Sequence, residues 1–369
     1  MKSKTVLSFA MALSLAAGFC AYPELSKIVQ RTSMNAEALE SVTVTGWRFR
    51  YDDTHCEIIG ATEDIQGAVE IPSVISVNGT DLPVTKIDDS FYYGSTTARK
   101  QITELTIPES ITFIGRASFW SAVSLKSVTI NAKITMLNGS TFNGCTNLET
   151  VKLPEGLITI DEYCFRDDIS LTAINLPSSL TTIGNNAFGN CTELQSIRIP
   201  GSVKEIPVYA FSGCKKLTTV ELESGVKTID SYAFSDCESL ENIVFPETVE
   251  KIDSAVVLDG CKKLKSITIA NPDLEMPNFR GTEEQPLTIC GKEGSTAQTY
   301  CETYGEERFV QFELMPEKPK PVVSSVFGDI NNDQEVDLTD AQLVLRYYTL
   351  QMGSKNPDWV ELINASRRS

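Results

Sequence analysis

The chain has 369 residues, long enough for one large core or for two or three smaller units. Lys and Arg number 32 against 49 Asp and Glu, a formal charge of −17. That balance opposes binding to phosphate backbones and anionic lipid, which excludes nucleic acid and membrane surfaces as expected partners.

At the start, Lys2 and Lys4 precede the apolar run VLSFAMALSLAAGFCA. A charged segment followed by an apolar one is the layout of a secretory signal peptide. It is assigned to residues 1–38, with cleavage after Gly18, after Ala21 or at the AEA of Ala36 to Ala38. The expected location is therefore extracellular. Phe19 stands where a lipoprotein signal needs a small residue, which argues against lipidation of Cys20. No other apolar run reaches the ~18 residues of a membrane span. No wall-sorting signal closes the chain, so any anchoring is expected to be non-covalent.

Residues 42–83 begin VTVTGWRFRYDD, include VEIPSVI and read as an N-terminal cap, strand-like but out of register with the downstream repeats. From 84 to 285 the chain repeats itself. Phe119, Phe142, Phe165, Phe188, Phe211 and Phe234 are 23 residues apart, with Val257 next in register. A period that strict predicts a solenoid. Six residues after each Phe comes a Leu, as at Leu125, Leu148 and Leu171. Three further on stands a β-branched residue, as at Val128, Val151 and Ile174, and two beyond that another apolar one, as at Ile130, Leu153 and Leu176. Spacing of two predicts a short strand with one face buried, stopped by Pro154, Pro177, Pro200 and Pro246. A second apolar ladder runs Ile114, Leu137, Ile160, Ile183, Ile206, Ile229 and Ile252. One coil cannot bury both of its faces, so stability must come from neighbouring coils and from caps. Residues 286–314 are the expected C-terminal cap.

The unit L-Q-S-I-R-I-P-G-S-V-K-E-I-P-V-Y-A-F-S-G-C resembles the leucine-rich repeat of BspA-like bacterial surface proteins, and GKEGSTAQTY resembles that family's terminal cap. The resemblance covers residues 42 to 313. It implies a right-handed, slightly curved leucine-rich-repeat solenoid of short parallel strands and 23-residue coils, about eight in number, used for adhesion or protein binding. The ligand itself does not follow from the fold.

Five of the ten cysteines (Cys145, Cys191, Cys214, Cys237 and Cys261) share one repeat position and are expected to stack as small buried fillers. Asp168 holds the equivalent place in its coil and is expected to be locally exposed. Cys290 and Cys301 are the best-placed pair for a disulfide, with free thiols the preferred state. No C-x-x-C pair occurs and His55 is the only histidine, so zinc is not expected.

The segment 315–325, Pro- and Lys-rich, reads as an extended linker. Within 326–369, Asp329, Asn331, Asp333, Asp337 and Asp340 stand at positions 1, 3, 5, 9 and 12 of a loop, with the backbone carbonyl of Glu335 at position 7. Calcium takes six to eight oxygen ligands in such an alternation, and without a cation these carboxylates would repel one another. With its following amphipathic DAQLVLRYYTL, the loop resembles a type I dockerin. That resemblance implies a small α-helical calcium-loop module that attaches to a cohesin domain of a scaffoldin in a cellulosome, with Leu338 and Thr339 as cohesin contacts. Gln334 occupies position 6, where Gly is usual, at a cost of roughly 1–2 kcal/mol. A second loop is absent before Ser369, so the expectation is a half-module or a shortened one.

No catalytic residues are expected. Nucleophilic catalysis needs a base, and His55 stands beside Cys56 on a predicted strand, where adjacent side chains face opposite ways. No glycine-rich phosphate loop precedes a helix. Function is therefore expected on the surface. The outward strand positions Thr106, Thr129, Lys152, Asn175, Arg198, Glu221, Val244 and Thr268 form a polar strip without aromatic rings, which favours a protein ligand over a glycan. Tyr163, Tyr209 and Tyr232 are expected to pack at the coil edge. The leading reading is a secreted, non-catalytic binding protein tethered to a scaffold. The alternatives are a free adhesin with a structural calcium loop, and a carbohydrate-active component of polysaccharide degradation.

Overall fold

The computed structural model describes residues 40–62, 65–89, 91 and 101–315. Apart from Met315, all belong to the first of two compact units, Met1–Leu314 and Met315–Ser369.

The chain enters through six strands: β1 (Glu40–Val44), β2 (Trp47–Tyr51), β3 (Cys56–Ala61), β4 (Gly67–Glu70), β5 (Val74–Val77) and β6 (Thr80–Ile87). β1 and β2 pair antiparallel across Thr45 and Gly46, and β5 and β6 across Asn78 and Gly79. All four turn residues have positive φ, the backbone that a two-residue hairpin with the native twist requires. The cap is not separate from the stack. β6 pairs in parallel with Phe113–Ile114, and β4 with Ile102–Ile107, so the cap opens both ladders of the solenoid.

The main ladder continues from Ile102–Ile107 through Ser127–Ile130, Thr150–Lys152, Ala173–Ile174, Ser196–Ile199, Thr219–Leu222, Asn242–Phe245 and Ser266–Ile269. It ends in Leu287–Gly291 and Val310–Leu314, which also join in parallel. With β4 the series bounds about ten turns, not eight. The expected count fell short because both cap regions contribute strands whose spacing departs from 23 and so escape a periodic search. Between the last two strands lies helix α1 (Thr296–Arg308), started by Ser295, whose Oγ accepts from Gln298 N at 3.3 Å, and stopped by Phe309 in the left-handed region. A second ladder is built from two-residue strands such as Thr159–Ile160 and Thr182–Ile183.

The core is a set of columns, one residue per coil. The six repeat phenylalanines are fully buried, with adjacent rings stacked at 5.2–5.5 Å and 2–10°. Phe91 caps the column edge-on at 5.7 Å from Phe119, with Trp47 beyond it at 6.1 Å. The repeat leucines are buried, and so are the strand apolars except Leu176, which is half-buried.

Each Phe sits between two columns of left-handed residues. Ala117, Ser140, Tyr163, Asn186, Tyr209 and Tyr232 precede it by two; Ser121, Gly144, Asp167, Asn190, Gly213 and Asp236 follow it by two. This alternation aims N–H groups at the next coil: Tyr163 N donates to Asn185 O, Phe165 N to Ala187 O and Asp167 N to Gly189 O, at 2.8–3.1 Å. A third inter-coil ladder results, and it satisfies backbone groups that burial would otherwise orphan.

Asp168 corrects an expectation. It is fully buried rather than exposed. Its Oδ1 accepts from Cys145 N at 2.8 Å, while Oδ2 has no partner. Burial pushes its carboxyl well above the ordinary 3.8. Of the five cysteines expected to be buried fillers, Cys145, Cys191, Cys214 and Cys237 are buried and free, whereas Cys261, in the irregular last coil, is only half-buried. Each thiol of the column donates to the carbonyl of a repeat Phe, such as Cys191 to Phe165 O at 3.1 Å.

Candidate binding surface

The coils present the expected strip in register. Arg198 pairs with Glu221 across the ladder, Lys152 with Thr129, and Val244 with Thr268. Lys152, Asn175, Arg198, Glu221 and Val244 are exposed, whereas Thr106, Thr129 and Thr268 are half-buried. The guanidinium of Arg198 is held between two carboxylates, 2.8 Å from Glu223 Oε1 and 3.6 Å from Glu221 Oε1. Such exposed pairs fix side-chain directions more than they stabilise.

A second row lies beside this strip, two residues earlier on each strand: Glu104, Ser127, Thr150, Ala173, Ser196, Thr219, Asn242 and Ser266. Apart from Glu104 these side chains are small, and they pair along the ladder, as Thr150 with Ser127 and Ser196 with Thr219. The result is a low row with little side-chain entropy to lose on contact, beside the longer side chains of the first strip. The period-2 pattern contained this row; it escapes notice because small polar residues carry no hydropathy signal.

At the coil corner the tyrosines separate. Tyr209 and Tyr232 stack at 5.0 Å with an 11° interplanar angle, and Tyr209 is 40% exposed rather than packed away. Tyr163 lies alone under Arg166, whose guanidinium carbon is 5.7 Å from the ring centroid. Asn186 interrupts the column between them. Beside the stacked pair, Asp230 titrates above its ordinary value because of burial, then the charge and hydrogen bond of Glu205, then Asp253.

The last coil holds a cavity of about 400 Å³, lined by Leu258, Asp259, Cys261, Lys262, Phe279 and Arg280 among others. His55 lies 3.1 Å from Asp52 Oδ2, whereas Cys56 next to it is fully buried, with its thiol pushed up first by burial and then by Asp52. Cys290 and Cys301 are free thiols. Among the described residues no three His, Cys, Asp or Glu side chains converge to hold a metal ion. The calcium-loop residues Asp329, Asn331, Asp333, Glu335, Asp337 and Asp340, and the cohesin contacts Leu338 and Thr339, lie outside the described residues.

The chain is similar to solved leucine-rich repeat structures. A leucine-rich repeat protein from Bacteroides ovatus ATCC 8483 is 24% identical, over 74% of this chain and 76% of that one, with a TM-score of 0.56. That likeness shows the fold. The leucine-rich repeat protein of T. pallidum is 25% identical, over 61% of this chain and 91% of that one, with a TM-score of 0.40. A leucine rich cell surface protein from Faecalibacterium prausnitzii A2-165 is 21% identical, over 82% of this chain and 100% of that one, with a TM-score of 0.31. No curated protein matches the chain. The model of the BspA type leucine rich repeat region matches residues 75–171 and 158–279, in six copies. Those matches span more than half of the sequence, and the chain belongs to the BspA-type leucine-rich repeat family.

Proposed function

We propose that this is an exported, non-enzymatic binding or adhesion protein, whose strand face takes a protein partner and whose residues 326–369 tether it through calcium to a cohesin domain of a scaffoldin. The observation that carries the binding role is the pair of aligned polar rows on one ladder, free of aromatic rings. Repeat proteins of this type are typically non-catalytic. Export rests on the Lys2 and Lys4 signal layout, and among the described residues no helix is long and apolar enough to cross a membrane. The tether rests on the ligand spacing from Asp329 to Asp340.

Cohesin titration with calcium and with chelator tests the tether. Capture that needs calcium supports it; equal retention in both conditions overturns it. The binding face is tested separately by Thr219→Arg, which places a long charged side chain on the low row. Loss of binding to immobilised extracellular proteins at unchanged melting temperature is the expected result, and unchanged binding removes the face from consideration.

One observation favours a second reading. Exposed Tyr209, backed by the half-buried ring of Tyr232, is a platform for a sugar ring. Glycan-array binding that Tyr209→Ser abolishes would transfer the function to this corner.

A further inference from the structure

We propose that Cys261 and Cys237 form a reactive dithiol at the mouth of the terminal cavity, modified by small disulfides at Cys261 and closed by Cys237 into an inter-coil disulfide. Four consecutive coils carry the thiol column Cys191, Cys214, Cys237 and Cys261. Their Sγ atoms donate to the carbonyls of Phe165, Phe188, Phe211 and Phe234 at 3.1, 3.3, 3.4 and 3.2 Å. The inner three are fully buried and sealed by a coil on either side. Cys261 is only half-buried. It arrives one residue late in the repeat and lines the cavity of about 400 Å³ that the irregular last coil leaves open. It is therefore the accessible end of a row otherwise closed to reagents.

Cys237 holds the equivalent place one coil earlier, its thiol donating to Phe211 O as that of Cys261 donates to Phe234 O. The two coils are locked in register on the same side, by Phe234 N to Val257 O at 3.0 Å and Asp236 N to Asp259 O at 2.6 Å. Equivalent phenylalanine rings of adjacent coils lie 5.2–5.5 Å apart. That separation falls inside the range of about 4.4–6.8 Å between Cα atoms that a disulfide spans. Lys262, Arg280 and Asp259 line the same cavity, with Lys262 paired to Glu238 at 3.1 Å.

The exchange needs a disulfide R–S–S–R as oxidant. Cys261 gives its proton to water, and its sulfur attacks one sulfur of the reagent, breaking that S–S bond and releasing one thiol. Cys237 then loses its proton and attacks the Cys261 sulfur, releasing the second thiol. Two protein thiols are oxidised as one small disulfide is reduced to two thiols. The neighbouring Cys261 and burial hold the Cys237 thiol above its ordinary value, so closure is the slower step and speeds up with pH.

The test uses the full folded chain with 2-hydroxyethyl disulfide in mildly alkaline buffer, read by peptide mapping and mass spectrometry. The expected product is a Cys237–Cys261 cross-linked peptide, with Cys145, Cys191 and Cys214 still free. Cys237→Ala should stop the reaction at a mixed disulfide on Cys261, and Cys261→Ala should leave Cys237 unmodified. The proposal fails if Cys261 is untouched while the denatured chain reacts, if its mixed disulfide persists in the unsubstituted protein, or if Cys290–Cys301 is the sole cross-link.

Discussion

Asp168 Oδ1 accepts a hydrogen bond from the backbone N–H of Cys145, one coil earlier, in the column where four of the next coils carry a thiol. The second oxygen is buried without a partner, and Asp167, Cys145, Cys164 and Cys191 are the titratable groups around it. Burial disfavours the charged form of an acid in that place and raises its titration above the ordinary carboxylate value.

The pH dependence is set by the sign of that shift. As pH rises through the ordinary carboxylate value of 3.8, the unfolded chain releases this proton and the folded chain keeps it. Stability from this residue is complete below that value and declines as pH climbs toward the folded value. Asp168→Asn keeps the acceptor and removes the titration. Its melting temperature relative to the unsubstituted protein should rise between pH 4 and pH 7; a constant difference would show that Asp168 is ionised in the fold.

The phenylalanine column makes a larger claim on stability. Phe188 has rings on both sides, at 5.3 and 5.2 Å. Phe188→Ala should cost about 3–5 kcal/mol by cavity formation, read by urea denaturation. Exchange of amide protons should accelerate first in the coils of Phe165 and Phe211, because each coil depends on its neighbours.

Two glycines separate backbone need from mere tolerance. Gly213 has φ +74, and a Cβ there would collide with Asn190 Oδ1, whose amide holds Asp167 at 2.8 Å. Gly213→Ala should destabilise by about 1–2 kcal/mol or more. Gly156 meets nothing within 4 Å and is not left-handed. Gly156→Ala should be neutral or stabilise by about 0.4–1 kcal/mol. Thermal melts of the two variants should move in opposite directions or differ by at least that margin.

For the proposed calcium loop, Gln334 is the testable flaw. If position 6 requires a left-handed backbone, Gln334→Gly recovers roughly 1–2 kcal/mol, about five- to thirtyfold in affinity. Calorimetric titration of calcium measures this directly, and Asp333→Ala should abolish the heat. Equal affinity in the Gly variant would mean that the turn does not use that conformation.

The repeat was legible because a solenoid is built by translation: every coil meets the same surroundings, so the constraints on Phe119 recur at Phe142 and Phe165. The caps were only partly legible. Asn78–Gly79 and Thr45–Gly46 carry hairpin signals, yet β4 and β6 enter the parallel ladders at irregular spacing. The small polar row from Ser127 to Ser266 was visible only once the strands were laid side by side.

By itself the sequence determined the 23-residue coil, the buried columns and the family, since periodicity reports what each coil must bury. Tertiary structure alone decided that Asp168 lies inside, that Tyr209 stacks on Tyr232 at the surface, and that the thiol column opens at Cys261. Those outcomes depend on what the neighbouring coil places opposite a residue, and a position equivalent in sequence has a different environment wherever the stack is interrupted or ends.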